Sequence, residues 1–123
     1  MTKRVAVVGA SNDRRKYGNK AVRAFLHQGH DVFPVNPHEA EIEGLRAYRS
    51  VTEISGPLDL ITVYVPPEVG LRLVDGFAAK GATELWLNPG SESDALVERA
   101  RARGLEPILA CSIMGIGESP STY

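Results

Sequence analysis

The stretch V-A-V-V-G-A-S-N-D-R-R-K-Y-G, residues 5–18, decides the fold: an apolar run meets a glycine, and a loop with three adjacent cations leads to a second glycine. Arg4–Val8 reads as a buried strand. Beyond the loop, Ala21, Val22, Phe25 and Leu26 fall on one helical face between Asn19 and His27, with the helix start at Tyr17-Gly18-Asn19. Gly29 stands where a helix commonly ends in a left-handed residue. Asp31–Val35 is the next apolar run, and Asn36-Pro37 ends it. Strand, loop, helix and strand in that order require a crossover, which pairs the two strands in parallel.

The rest of the chain repeats the pattern. Leu58–Val65 is the strongest strand signal, rich in β-branched residues and stopped by Pro66-Pro67. Pro67 suits a first helical turn, and Leu73, Val74, Phe77 and Ala78 give that helix an apolar face up to Gly81. Thr83–Leu87 follows as a strand, with Asn88-Pro89-Gly90 as a turn. Ser91 and Asp94 form a capping-box pattern for a helix through Arg103, ended by Gly104, and Leu105–Ala110 is the last strand. Between these, Gly44–Tyr48 reads as a short edge strand and Val51–Ile54 as a turn of helix, while 118–123 reads as a flexible tail. The expected fold is therefore α/β: a three-layer, doubly wound parallel sheet of about five strands in a single domain over 1–123.

Composition narrows the function classes. With 14 basic and 15 acidic side chains and a net charge of −1, nothing draws the chain toward nucleic acid or an anionic membrane. No segment nears the roughly 18 apolar residues of a membrane span, and the opening M-T-K-R-V-A-V-V-G is too short for a signal core, so a cytoplasmic location is expected. The single cysteine, Cys111, excludes an internal disulfide and a cysteine-based zinc site, and reads as a small buried residue near the last strand. His27, His30 and His38 have neither metal-ligand spacing nor an acid–base partner nearby, so no metal and no catalytic residue are assigned; His38, in a loop, is near enough to the second strand's end to approach a nucleoside.

In a sheet of this kind, ligands bind at the carboxyl ends of the strands. Four loops meet that rule: Gly9–Gly18, Asn36–His38, Val65–Glu68 and Asn88–Ser91. The first lacks G-x-G-x-x-G, since only Gly9 matches, and it also lacks the G-K-[ST] of a P-loop. It still suits a phosphate. Gly9 permits close backbone approach, Ser11 and Asn12 offer donors, a helix N-terminus follows, and Arg14, Arg15 and Lys16 add charge or form a solvated run. On these grounds Gly9→Val is expected to abolish binding with little effect on the sheet. The second loop places Asn36-Pro37 where an NAD site holds a ribose-binding carboxylate, an ending that tolerates a phosphorylated ribose better than NAD. Val65-Pro66-Pro67 and Asn88-Pro89-Gly90 are stiff and largely apolar, suited to an extended chain of amides and methylenes or simply to strand-to-helix turns.

Five ordered motifs carry a resemblance: G-A-S-x-x-x-x-K-Y-G (Gly9–Gly18), V-F-P-V-N-P (Val32–Pro37), I-x-G-L-x-x-Y (Ile42–Tyr48), P-P-E (Pro66–Glu68) and W-L-N-P-G (Trp86–Gly90). From Arg4 to Ala110 the chain resembles the small bacterial CoA-binding domain proteins, which are similar to the CoA-binding domain of the succinyl-CoA synthetase α subunit. The resemblance implies a Rossmann-like sheet with coenzyme A or an acyl-CoA across its carboxyl edge. Its binding set is Gly9, Ala10, Ser11, Asn12, Lys16, Tyr17 and Gly18 around the phosphates, Asn36 and Pro37 near the adenosine, and Val65, Pro66, Pro67, Asn88, Pro89 and Gly90 along the pantetheine arm. The segment Cys111–Pro120 departs from the basic, valine-containing tail of many relatives, so no site residue is assigned there. The resemblance supplies no reaction. It implies a binding module, a sensor or carrier working with a partner enzyme or as a homodimer; the alternatives are an NAD(P)-binding, oxidoreductase-like domain or an interaction role with a vestigial site.

Overall fold

The computed structural model describes residues 2–123. The main elements are β1 (Arg4–Val8), α1 (Tyr17–His27), β2 (Asp31–Val35), β3 (Glu41–Ile42), β4 (Leu45–Arg46), β5 (Leu60–Val63), α2 (Pro67–Lys80), β6 (Glu84–Leu87), α3 (Asp94–Ala102), β7 (Ile108–Leu109) and α4 (Ser112–Gly115). Five strands form one sheet in the order β2-β1-β5-β6-β7, all parallel. This is the doubly wound sheet expected. The chain leaves β1 for β2 on one side and returns to β5 on the other, so the order reverses at β1/β5, and the loops after those strands part there.

Side-chain alternation along β1 makes the layers. Val5 and Val7 pack with Ala21, Val22 and Phe25 of α1, while Ala6 and Val8 pack with Val74 and Phe77 of α2 and, further along the sheet, Leu96 and Ala100 of α3. All of these are buried. The strands read as continuous apolar runs because both faces are covered.

Four details differ from expectation. β7 is two residues long rather than Leu105–Ala110: Pro107 has no N–H to give to β6, and pairing starts after it. Ser93, not Ser91, caps α3 by accepting from Leu96 N at 3.1 Å; Ser91 is buried, with its N–H on Asn88 O at 2.8 Å. The 38–55 segment holds a separate antiparallel hairpin, β3–β4, joined by Glu43 and Gly44 at φ 50° and 77°. Two positive φ values in succession give the right-handed twist a two-residue hairpin needs, and Glu43 is kept there by Asn19 Nδ2 at 3.0 Å and Arg14 Nε at 3.4 Å. Residues 118–123, expected as a tail, lie on α1: the Tyr123 ring meets His27 edge-on at 6.3 Å, and Lys20 Nζ donates to Pro120 O at 3.2 Å.

Gly18, in the first turn of α1, rests directly on the end of β1. A Cβ there would collide with the Gly9 carbonyl and crowd the Ala10 Cα, both backbone and so unable to swing aside. The close helix-to-strand packing that the third glycine provides in G-x-G-x-x-G is supplied here by a glycine further along the chain. Gly18→Ala should therefore lower stability by about 3 kcal/mol or more, a large value for one added methyl. Thermal unfolding of the variant checks this, and a change under about 0.5 kcal/mol would mean the contact relaxes.

Candidate functional site

A cleft of about 730 Å³ opens at the carboxyl edge of the sheet. Of the expected set, Gly9, Ala10, Ser11, Lys16, Tyr17, Gly18, Asn36, Val65, Pro66, Asn88, Pro89 and Gly90 line it. Pro37 lines a second hollow next to it, while Asn12 and Pro67 line neither. Asn12 Nδ2 donates instead to Glu39 Oε2 at 2.9 Å and Glu41 O at 3.0 Å, holding the loop to the hairpin, and Pro67 opens α2. Ser91 was expected here only as the end of the Asn88–Ser91 loop, and sequence reasoning missed Tyr64, Cys111, Met114 and Pro120. Tyr64 adjoined an expected loop, but the last three belong to a segment whose return to the cleft leaves no local sequence signal.

The loop after β1 is built on backbone. Gly9 has φ 88°, and a Cβ on it would stand 3.0 Å from both Tyr64 C and Val65 Cγ1. Gly9→Val thus strains the crossing of two loops as well as filling the cleft, which corrects the expectation that the sheet would be spared. Buried Asn19 donates to Ser11 O at 2.8 Å, and Ser11 Oγ accepts from Asp13 N at 3.0 Å. Asn36 reaches over from the end of β2, donating to Ala10 O at 2.9 Å and accepting from His38 N at 2.8 Å.

The charges on this loop divide. Arg15 donates to Asp13 through Nε and Nη2, both at 3.0 Å, and these hydrogen bonds hold the Asp13 carboxyl down at about 2. Arg14 pairs with Glu43. Lys16 lines the cleft with no side-chain partner among the described residues. It is also the N-cap residue of α1, a helix with no side-chain cap and no acidic residue in its first turn. That helix end presents unpaired N–H groups and the positive end of its dipole. Chemically, an end of this kind suits an anion.

The far wall is held by a buried polar knot. Asn88 Nδ2 donates to Thr62 Oγ1 at 2.7 Å and Val63 O at 2.8 Å, and its Oδ1 accepts from Ser112 N at 2.8 Å. Ser112 Oγ is 2.7 Å from Thr62 Oγ1 and 3.1 Å from Tyr64 Oη. Both amide hydrogens of Asn88 are thus committed inside the protein, tying β5, β6 and α4 together. Burial pushes the Tyr64 hydroxyl up to about 12. Val65, Pro66, Pro89 and Met114 make the exposed stretch of this wall apolar, and Cys111 is half-buried beside them. No group of three or more potential metal-ligating side chains occurs among the described residues. Among the described residues no helix is long and apolar enough to cross a membrane.

The family model described as a CoA binding domain matches residues 3–116. The α subunit of the ADP-forming acetate–CoA ligase II of Pyrococcus furiosus is 46% identical over 123 aligned residues, covering 91% of this chain and 27% of that subunit. The chain thus spans about a quarter of the ligase subunit. The Bacillus subtilis protein YneT is 28% identical, over 88% of this chain and 80% of its own. Among solved structures, a conserved hypothetical protein from Pyrococcus furiosus superposes with a TM-score of 0.84 and 38% identity, covering 92% of this chain and 98% of that one.

Two variants test the wall. Asn88→Ala leaves the Ser112 N–H and Thr62 hydroxyl short of a partner, so stability should fall by about 1–3 kcal/mol in denaturant unfolding; an unchanged midpoint would mean water replaces the amide. Tyr64 is stabilised in the fold as the neutral phenol, with its pKa raised from 10.0 to about 12. Its contribution is complete below pH 10 and is lost as pH climbs through about 12. The stability difference between the wild type and Tyr64→Phe should shrink over that window, and a difference that grows there would contradict the assignment.

Proposed function

The chain belongs to the CoA-binding domain family, and on that premise we propose that it binds coenzyme A or an acyl-CoA without catalysis of its own, as a sensor or carrier module for a partner enzyme. The diphosphate would lie on the loop after β1, between the Gly9 backbone and the N-terminus of α1, with Lys16 beside it. The pantetheine arm would run along Val65, Pro66, Pro89 and Gly90 toward Cys111 and Met114. The observation that carries the reading is the pairing of an uncapped, acid-free helix end with a cation that has no side-chain partner among the described residues, both in the cleft at the carboxyl edge. At the end of β2, the Asn36 amide is committed to Ala10 and offers no carboxylate to a ribose diol, which supports coenzyme A over NAD.

The partner is proposed from the length of the match: the ligase subunit carries some three-quarters of its chain beyond the aligned part. A domain of this kind can thus deliver its ligand to chemistry done elsewhere.

Calorimetric titration with coenzyme A, acetyl-CoA, NAD and NADPH tests the reading. Coenzyme A should give saturable heat, and its absence up to millimolar ligand would end the proposal. Lys16→Ala should weaken coenzyme A by about 1–3 kcal/mol, more at low salt than at high. Arg15→Ala, whose side chain is paired with Asp13 outside the cleft lining, should leave the affinity unchanged.

A further inference from the structure

Across the crest formed by Gly9, Asn36 and Val65 lies a second hollow of about 420 Å³, and these three residues line both spaces. Its walls are apolar, from Val35 at the end of β2 and Val69, Leu73 and Phe77 on α2. Arg49 and Arg72 also line it, both exposed, and no aspartate or glutamate does.

Those two arginines stand apart from the rest of the chain's charge. Among the described residues neither has an ion pair, a hydrogen bond or an aromatic face as partner. Lys16, in the neighbouring cleft, is in the same position. Every other lysine and arginine engages a carboxylate, a carbonyl, an amide or a ring. In a protein of net charge −1, the lysines and arginines without partners among the described residues are thus found only where the two hollows are. A surface that merely needed solubility has no reason to distribute them so.

The two spaces adjoin at their shared residues Gly9, Asn36 and Val65, close enough for one elongated ligand to reach across into both. We infer that the second hollow takes the adenosine end of the ligand and that Arg49 and Arg72 receive the phosphate on its ribose, which makes them the residues that select 3′-phosphorylated coenzyme A over nucleotides with a free 3′-hydroxyl. The inference rests on the coenzyme A reading above. The apolar walls suit a purine face, and guanidinium groups suit a phosphate dianion. NAD has ribose diols at that end and finds no carboxylate among the residues lining the hollow.

The test is calorimetry with coenzyme A and 3′-dephospho-coenzyme A against the wild type and Arg49→Ala/Arg72→Ala. The wild type should prefer coenzyme A by about tenfold or more, and the preference should narrow as salt rises. In the double variant coenzyme A should fall to the level of the dephospho form, which itself should bind as before. Arg49→Gln and Arg72→Gln, each keeping one guanidinium, should lose part of the preference, and they serve if the double variant unfolds. Equal binding of both ligands by the wild type, or a preference that survives in the double variant, overturns the inference and leaves the coenzyme A reading standing. Binding of neither ligand overturns both.

Discussion

A helical residue without a side chain, Gly18, sits on the carbonyl of Gly9, and the rest of the site depends on that contact. It brings the first turn of α1 down onto the end of β1, which aims the helix N-terminus at the cleft and leaves the intervening residues to bulge outward. The bulge is then tied at three places: Asn19 to Ser11, Asn36 to Ala10, and Asn12 to the hairpin. With the loop fixed in this way, its backbone is ordered by the protein's own hydrogen bonds, and a group bound there would meet a lower ordering cost.

The polar residues that a sequence reader would hand to the ligand are largely occupied by the protein. Asn88 closes a buried knot, Asn36 braces the first loop, and Asn12 holds the hairpin. Asn88 is buried, and a buried side-chain amide without partners is costly, so the fold claims it first. What the site has left is of three kinds: N–H groups at a helix end, apolar wall from prolines and valines, and cations with no internal partner. That combination suits a long ligand with anionic groups at one end and an amide–methylene arm at the other.

Hydrophobic pattern made the sheet legible, because β1, β2, β5 and α1 each have one dominant period and a glycine or proline at the end. It failed where a local rule had two candidates or where contacts came from far away. Ser91 and Ser93 both fit a cap, and only the backbone path after Pro89 decides which oxygen reaches the third helical N–H. The hairpin depends on Glu43 in a left-handed conformation, uncommon for a glutamate, with its carboxylate held by Asn19 and Arg14. Tyr123 and Pro120 lie on α1 through contacts about a hundred residues apart in the chain.

The sequence by itself determined the doubly wound sheet and the long Gly9–Gly18 loop at its carboxyl edge, since period, punctuation and crossover handedness are local or nearly so. Only the tertiary structure decided which side chains that edge leaves free. Whether Lys16 is a solvated charge or a cleft cation depends on what its neighbours Arg14 and Arg15 have found to pair with. Whether Arg49 and Arg72 belong to a site depends on a hollow whose walls come from four separate stretches of chain. Pairing is a property of three-dimensional neighbours, and no spacing in the sequence records it.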